Sequence, residues 1–332
     1  LALATFRATD GFAALEAVEL PGSAYVAEVT ESAPRAWFRL GDAQGATVRD
    51  TVAAIPGTVV NADLGQPGLV SRDSDTAVTF TSTGGVSVTD SRALLSGTLA
   101  EFTFEAIIQT TAAATQVLLQ QDGSDSAQLR LRMLGTGILE FQVTGAGSAF
   151  TAETESSGVV NDGSAHHVLA TYSSTNGLRL FVDGVDVSSV VLVGAGSPVM
   201  VPKSLTLGND KALVVNGWTG VLDEVAVYDR ELTAAEIAAH AGEFTTPWDG
   251  DLPGARLERV LDLAGWPAAL RSIDTGTSTL QPATLGVSAL EHAQKVADSD
   301  FGALFITAGG SVRFIGRAGL YNRPALATFA HD

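Results

Sequence analysis

Short runs of strictly alternating side-chain character, each closed by a Gly- or Ser-rich turn, dominate this chain. In EFTFEAIIQT (residues 101–110), Phe102, Phe104, Ala106 and Ile108 fall on one face and Glu105 and Gln109 on the other. AQLRLRML sets Leu129, Leu131 and Met133 against Arg130 and Arg132, and ILEFQVT sets Leu139, Phe141 and Val143 against Glu140 and Gln142. A period of two places one side of a strand on a core and the other on solvent. LRLFVDGVDV adds Asp183-Gly184 between two such runs, a strong hairpin signal. This grammar fills residues 24–245, and helical periodicity is almost absent before residue 233. The prediction is a mainly β chain, folded there as an antiparallel sandwich or jelly roll.

Helical signals arrive late. Thr233 and Glu236 form a capping box, and Gly242 is expected to end that helix. EFTTPWDGDLPG reads as a linker. Beyond it, Leu257, Val260, Leu261 and Ala264 recur at helical spacing up to Gly265 and Pro267. Ser288 and Glu291 cap a further helix that turns Leu290, Ala293, Val296 and Ala297 inward. ALFITAGGSVRFIGR reads as a hairpin turning at Gly309-Gly310, with Phe305, Arg313 and Ile315 opposite Leu304, Ile306, Val312 and Phe314. Residues 249–332 are therefore α+β. Residues 1–23 (strand, turn, short helix) match neither sandwich nor linker, and are expected to complete that α+β domain, with the sandwich inserted between its parts.

Charge and composition remove several functions. A net charge of −18 repels phosphates, which argues against nucleic acid and anionic membranes as partners. No run reaches the roughly 18 apolar residues of a membrane span. With no cysteine there is no disulfide, thiol nucleophile or zinc-thiolate site. The chain opens on Leu1 with strand-like alternation, with no signal peptide before it, and stops abruptly, and is expected to be a piece of a longer polypeptide.

APRAWFRLGD, FTFEAIIQT, AHHVLATY, LRLFVDGVDV and GVLDEVAVYDRELTAAEI occur in that order and resemble the laminin-G-like, concanavalin A-like jelly rolls of adhesive and carbohydrate-binding proteins. Where that family often has Trp before the paired histidines, this chain has Ala165. The flanks, ARLERVLDLAGWPAALRSID and SALEHAQKVADSDFGALFITAGGSVRFIGR, resemble minor tail proteins of long-tailed actinobacteriophages. The two resemblances together imply a structural hub at the phage tail tip or baseplate, assembled in the host cytoplasm. It would form a homo-oligomer, a trimer, through the α+β domain, with other tail proteins as neighbours. The sandwich would face outward toward host-envelope glycans. The alternative is a bacterial surface adhesin, or a carbohydrate-binding module of a secreted protein.

Catalytic signatures are missing: no GxSxG, no phosphate loop, no HExxH, and no ExDxxE strand of related glycanases, which need two carboxylates about 5–9.5 Å apart. The expectation is a non-enzyme. His166 and His167 are adjacent on a strand, face opposite sides and cannot share a metal. Strand parity sets Val221, Asp223, Val225 and Val227 together, so Asp223 falls among core residues and needs a partner. Two partners fit: backbone N–H groups, expected in the VRDTVAA turn, or a structural Ca²⁺ held with Asp50, which the jelly-roll resemblance implies at this edge. Sugar binding calls for exposed aromatic, amide and carboxylate side chains at one rim. Trp218, Asn209, Asp210 and Asn216 are the candidates, with Trp218 equally suited to the core. Trp37, Trp248 and Trp266 suit packing or the linker.

Overall fold

The computed structural model describes residues 11–148, 150–192, 196–213 and 216–321. The expectations placed on residues 1–10 and on the last residues of the chain lie outside these. The contacts separate the chain into two units, residues 28–245 and residues 1–27 with 246–332, and the division falls inside helix α2 (Ala24–Glu31).

Unit 28–245 is built from β1 (Ala36–Phe38), β2 (Thr47–Arg49), β3 (Pro56–Pro67), β4 (Thr76–Val88), β5 (Gly97–Thr98), β6 (Glu101–Gln109), β7 (Gln116–Gly123), β8 (Gln128–Met133), β9 (Ile138–Thr144) and β10 (Thr151–Val159). It continues with β11 (Ala165–Ser173), β12 (Gly177–Val182), β13 (Val185–Asp186), β14 (Ser188–Leu192), β15 (Val199–Met200), β16 (Pro202–Leu207) and β17 (Gly220–Tyr228), and closes with helix α3 (Ala234–Thr245). Hydrogen bonding runs β13-β12-β11-β6-β17-β4-β16-β7-β8-β9-β10-β14, with every pairing antiparallel.

This continuous path becomes a sandwich because β4 belongs to two layers. Val78–Phe80 pair with β17, whereas Val86–Val88 pair with β16. The bend between them needs Gly84, where a Cβ would sit 2.1 Å from the Asn61 carbonyl oxygen of β3. The folded-over layers meet through aromatic side chains: Phe102 and Phe104 of β6 lie 5.9 and 6.1 Å, centroid to centroid, from Phe141 of β9. The alternating residues of β6, β8 and β9 supply this core as expected. Asp183 and Gly184 both take positive φ and turn β12 into β13; that is the tight hairpin their dipeptide predicts.

Two local expectations fail. Helix α3 does not stop at Gly242 but runs to Thr245, since Phe244 beyond it is buried. The capping box itself forms: Glu236 N donates to Thr233 Oγ1 at 3.3 Å, and Thr233 N to Glu236 Oε2 at 2.8 Å. The polar side of β6 is also not a solvent face. Glu105, with His167 of β11 and Tyr228 of β17, is buried, and α3 lies against β11 on that side.

In the other unit, α1 (Gly11–Glu16), α4 (Pro253–Leu263) and α5 (Ala289–Ser299) pack with β18 (Arg271–Ile273), β19 (Ala303–Ile306), β20 (Val312–Ile315) and α6 (Arg317–Tyr321). β20 is central, parallel to β18 and antiparallel to β19. Ser288 caps α5 as its sequence implies, accepting from Glu291 N at 3.1 Å. The core joins Leu15, Leu257, Val260, Leu261, Ala293, Val296, Val312 and Phe314. The expected second apolar face of the hairpin divides: Phe305 is exposed, while Ile315 is buried with Gly319 of α6 against it.

Candidate functional site

Register across β16, β7, β8, β9 and β10 assembles a polar face on the sandwich. Thr206, Gln120, Arg130, Gln142 and Glu153 stand opposite one another in one row. Ser204, Asp122, Gln128, Thr144 and Thr151 form a second row, and Arg132, Glu140 and Glu155 a third. Period-two alternation puts Leu129, Leu131, Phe141 and Val143 of the same strands into the core.

These side chains bind one another. Arg132 grips Glu140 with two hydrogen bonds, of 2.6 and 3.0 Å. Arg130 Nη2 donates to Gln142 Oε1 at 2.6 Å, and Gln142 Nε2 to Glu153 Oε2 at 3.0 Å. At one end, the residues after β16 form a wall and leave a cleft of about 220 Å³. Thr115, Gln120, Gln128, Arg130 and Arg132 line its sheet side; Asp210, Lys211 and Asn216 line its loop side. Gln120 Oε1 and Arg130 Nε are buried there with no hydrogen-bond partner, an arrangement that costs desolvation energy unless something polar meets these side chains. Burial, followed by repulsion from Arg132, lowers the pKa of Arg130.

Two of the four expected sugar-contacting residues, Asp210 and Asn216, thus share the cleft. The other two do not. Trp218 is fully buried, its Nε1 donating to the Val221 carbonyl at 3.0 Å, and Asn209 is fully buried, its Nδ2 donating to the Gly84 carbonyl at 2.7 Å. The first is core, and the second braces the β4 bend. Gln120, Gln128, Arg130 and Lys211 were not expected in a site. Alternation marked Arg130 only as outward-facing, and pairing register is needed to place it beside Gln120 and Gln142.

The Asp223 expectation is corrected by a β-bulge. Asp223 pairs with Ile107 but Ala226 with Glu105, so one extra residue is inserted at Glu224, whose φ is +51°. The bulge reverses parity. Val225 and Val227 enter the main core, and Asp223 lies on the other face. Asp223 is still buried. Its Oδ2 accepts from Leu69 N at 2.9 Å, not from the 48–54 turn, and Oδ1 has no partner. Asp50 is taken up by its own turn, accepting from Trp37 N at 2.6 Å, Ala53 N at 2.6 Å and Val52 N at 3.2 Å.

Around Asp223, the Arg39 guanidinium reaches Glu224, Asp73 and Asp75 at 2.9, 2.9 and 3.1 Å. Trp37 Nε1 donates to Glu224 Oε2 at 2.8 Å. Burial, with repulsion from Asp75, pushes Asp223 up to about 7, and burial pushes Glu224 well above the usual carboxylate range against the pull of Arg39. The orphaned Oδ1 suits a cation ligand. Asp50, its oxygens occupied, does not.

Under α3 a third cluster forms. Glu105 accepts from His167 Nε2 at 2.6 Å, His240 Nδ1 at 3.0 Å and Tyr228 Oη at 2.7 Å. His240 Nε2 meets Ser32 Oγ at 2.9 Å. His166 diverges from His167, as expected, toward Asp183 and Asp162. The ligating atoms of Glu105, His167 and His240 all lie within 4.8 Å of one another. Each already serves another in a hydrogen bond, so the cluster acts as a buried clamp on α3. Sequence reasoning missed it because His240 sits 135 residues from Glu105.

No curated protein matches the chain. Among solved structures, a Trypanosoma rangeli sialidase in complex with the inhibitor DANA aligns at 17% identity and TM-score 0.44, covering 62% of this chain and 32% of that one. The chain thus spans about a third of the sialidase. The CBM40 of a Ruminococcus gnavus IT-sialidase, bound to α2,3-sialyllactose, aligns at 18% identity and TM-score 0.38, over 44% of this chain and 84% of that one. The family comparison is specific to the sandwich: residues 80–238, from the β4 bend to α3, match the laminin-G model of the concanavalin A-like lectin/glucanases superfamily.

Proposed function

We propose that the sandwich is a non-catalytic glycan-binding module and that the cleft between β7–β8 and the loop after β16 is its sugar site. The observation carrying this reading is the polar face itself. Amide, guanidinium and carboxylate groups stand in register across five strands, and Gln120 Oε1 is left buried and unpartnered at the cleft. Sugar hydroxyls are both donors and acceptors, and side chains held by one another present them with a fixed pattern at little entropic cost. The family match over residues 80–238 supports the same reading. Binding without cleavage is supported by the fate of the β17 carboxylates: Asp223 and Glu224 are buried among Leu69, Arg39 and Trp37, so neither is free to attack or protonate a sugar.

Calcium at Asp223 belongs to this proposal as a structural ligand, with Asp223 Oδ1 as its carboxylate donor in place of the Asp223–Asp50 pair. The larger setting, a homotrimeric tail-tip protein of a long-tailed phage that displays the sandwich to host glycans, is supported by the sequence resemblance of residues 255–317. An adhesin, or a module of a secreted protein, is the second reading, favoured by the family match being confined to the sandwich. A glycan panel probed with the whole chain tests the binding function. Retention of one sugar class, lost in Gln120→Ala, is the expected result; retention of none would refute it.

A further inference from the structure

Charge is distributed unevenly along the polar face. Three glutamates, Glu140, Glu153 and Glu155, bring their carboxylates within 4.8 Å of one another over β9 and β10. The cleft end is the reverse. Arg132 is neutralised by Glu140, whereas Arg130 makes no direct ion pair among the described residues and bonds to the neutral Gln142, with Glu140, Glu153 and Asp122 attracting it only at longer range. Lys211, across the cleft, also lacks an acidic partner among the described residues. In a chain of net charge −18, two cations facing one cleft with no direct ion pair among the described residues are unexpected. A half-buried guanidinium without an anion gives up much of its hydration, and charge-assisted pairing with an oxyanion restores it.

Resting on the glycan-binding reading, we infer that this cleft recognises an anionic sugar, with the carboxylate or sulfate group held between Arg130 and Lys211. The neutral hydroxyls of the same sugar then meet Gln120, Gln128 and Asn216. The glutamate cluster repels a second acidic residue and so fixes which way an acidic glycan runs along the face. Asp210, also in the lining, makes no ion pair with either cation among the described residues, and its Oδ1 accepts from Ala212 N at 2.9 Å and shapes the loop.

The test is retention of the whole chain on immobilised neutral, carboxylated and sulfated oligosaccharides, repeated with Arg130→Gln, Lys211→Gln and Glu155→Gln. The expected result is binding to anionic members alone, weakened at least tenfold by Arg130→Gln, weakened less by Lys211→Gln, and unchanged or tightened by Glu155→Gln. Loss of binding on raising the salt concentration should follow. Preference for the carboxylated or for the sulfated members identifies the anion. Equal or exclusive binding of neutral sugars would overturn this inference and leave the glycan site standing, whereas binding of no sugar would remove both. Lys211→Gln alters an exposed loop side chain, so its effect cannot be attributed to misfolding.

Discussion

His240 Nδ1, on α3, lies 3.0 Å from Glu105 Oε1, on β6, with both side chains fully buried. This pair ties helix α3, which closes the sandwich, to the strand at its centre. Burial opposes the charge on each, yet His240 and His167 hold Glu105 well below the ordinary carboxylate range, and Glu105, joined by Glu28 and Glu236, holds His240 above the ordinary imidazole value.

The pair predicts a pH window. A depressed carboxylate contributes stability that is present above its unfolded value of 4.5 and lost as pH falls through the lower folded value. A raised histidine contributes stability that is present below 6.5 and lost as pH rises through the higher folded value. The melting temperature should therefore peak between these limits and decline on the alkaline side. His240→Ala should cost roughly 3–5 kcal/mol, the cost of stripping a buried ion of its partner. It should lessen the alkaline decline without abolishing it, because the raised His166 and Asp223 also lose stability as pH rises. Thermal melts from pH 4 to 9 check both.

Asp223 predicts a response to calcium. With Ca²⁺ at about a hundred times its dissociation constant, the melting temperature should rise by roughly 5–10 °C, chelator should reverse the rise, and Asp223→Ala should remove it. Asp50→Ala should destabilise by loosening its turn while leaving the calcium response intact. Calorimetry with and without chelator reads this out, and a curve indifferent to Ca²⁺ leaves Asp223 as a hydrogen-bonded carboxyl.

Gly84 predicts a steric limit. A Cβ there would meet the Asn61 oxygen at 2.1 Å, and the neighbour is backbone. Gly84→Ala should destabilise the sandwich by about 2–3 kcal/mol, the usual scale of overpacking, as measured by urea unfolding of residues 28–245.

That fragment predicts autonomy. Every strand of the sandwich and α3 fall within 28–245, so the fragment should be soluble and melt in one cooperative transition. Multi-angle light scattering of the whole chain then bears on assembly. A trimer of the 34.1 kDa chain is expected. A monomer at micromolar concentration, or a trimer that survives removal of residues 1–27 and 246–332, would remove the proposed role of the flanking unit.

Local physics made much of this protein legible from its residues alone. Period-two alternation in β6, β8 and β9 named their core residues, because a strand leaves side chains no third direction. Asp183-Gly184 and Thr233-x-x-Glu236 named a turn and a helix start, because those devices are complete within four residues. What escaped depended on partners distant in the chain. A single bulge at Glu224 moved Asp223 to the other face, and no residue beside it announces the inserted position. Trp218 and Asn209 looked like rim residues until the β4 bend enclosed them. The Glu105–His167–His240 clamp and the Gln120–Arg130–Gln142 row exist only through pairing register and the docking of α3. Those are choices the chain makes when it folds over at Gly84, by burying one alternating face against the other.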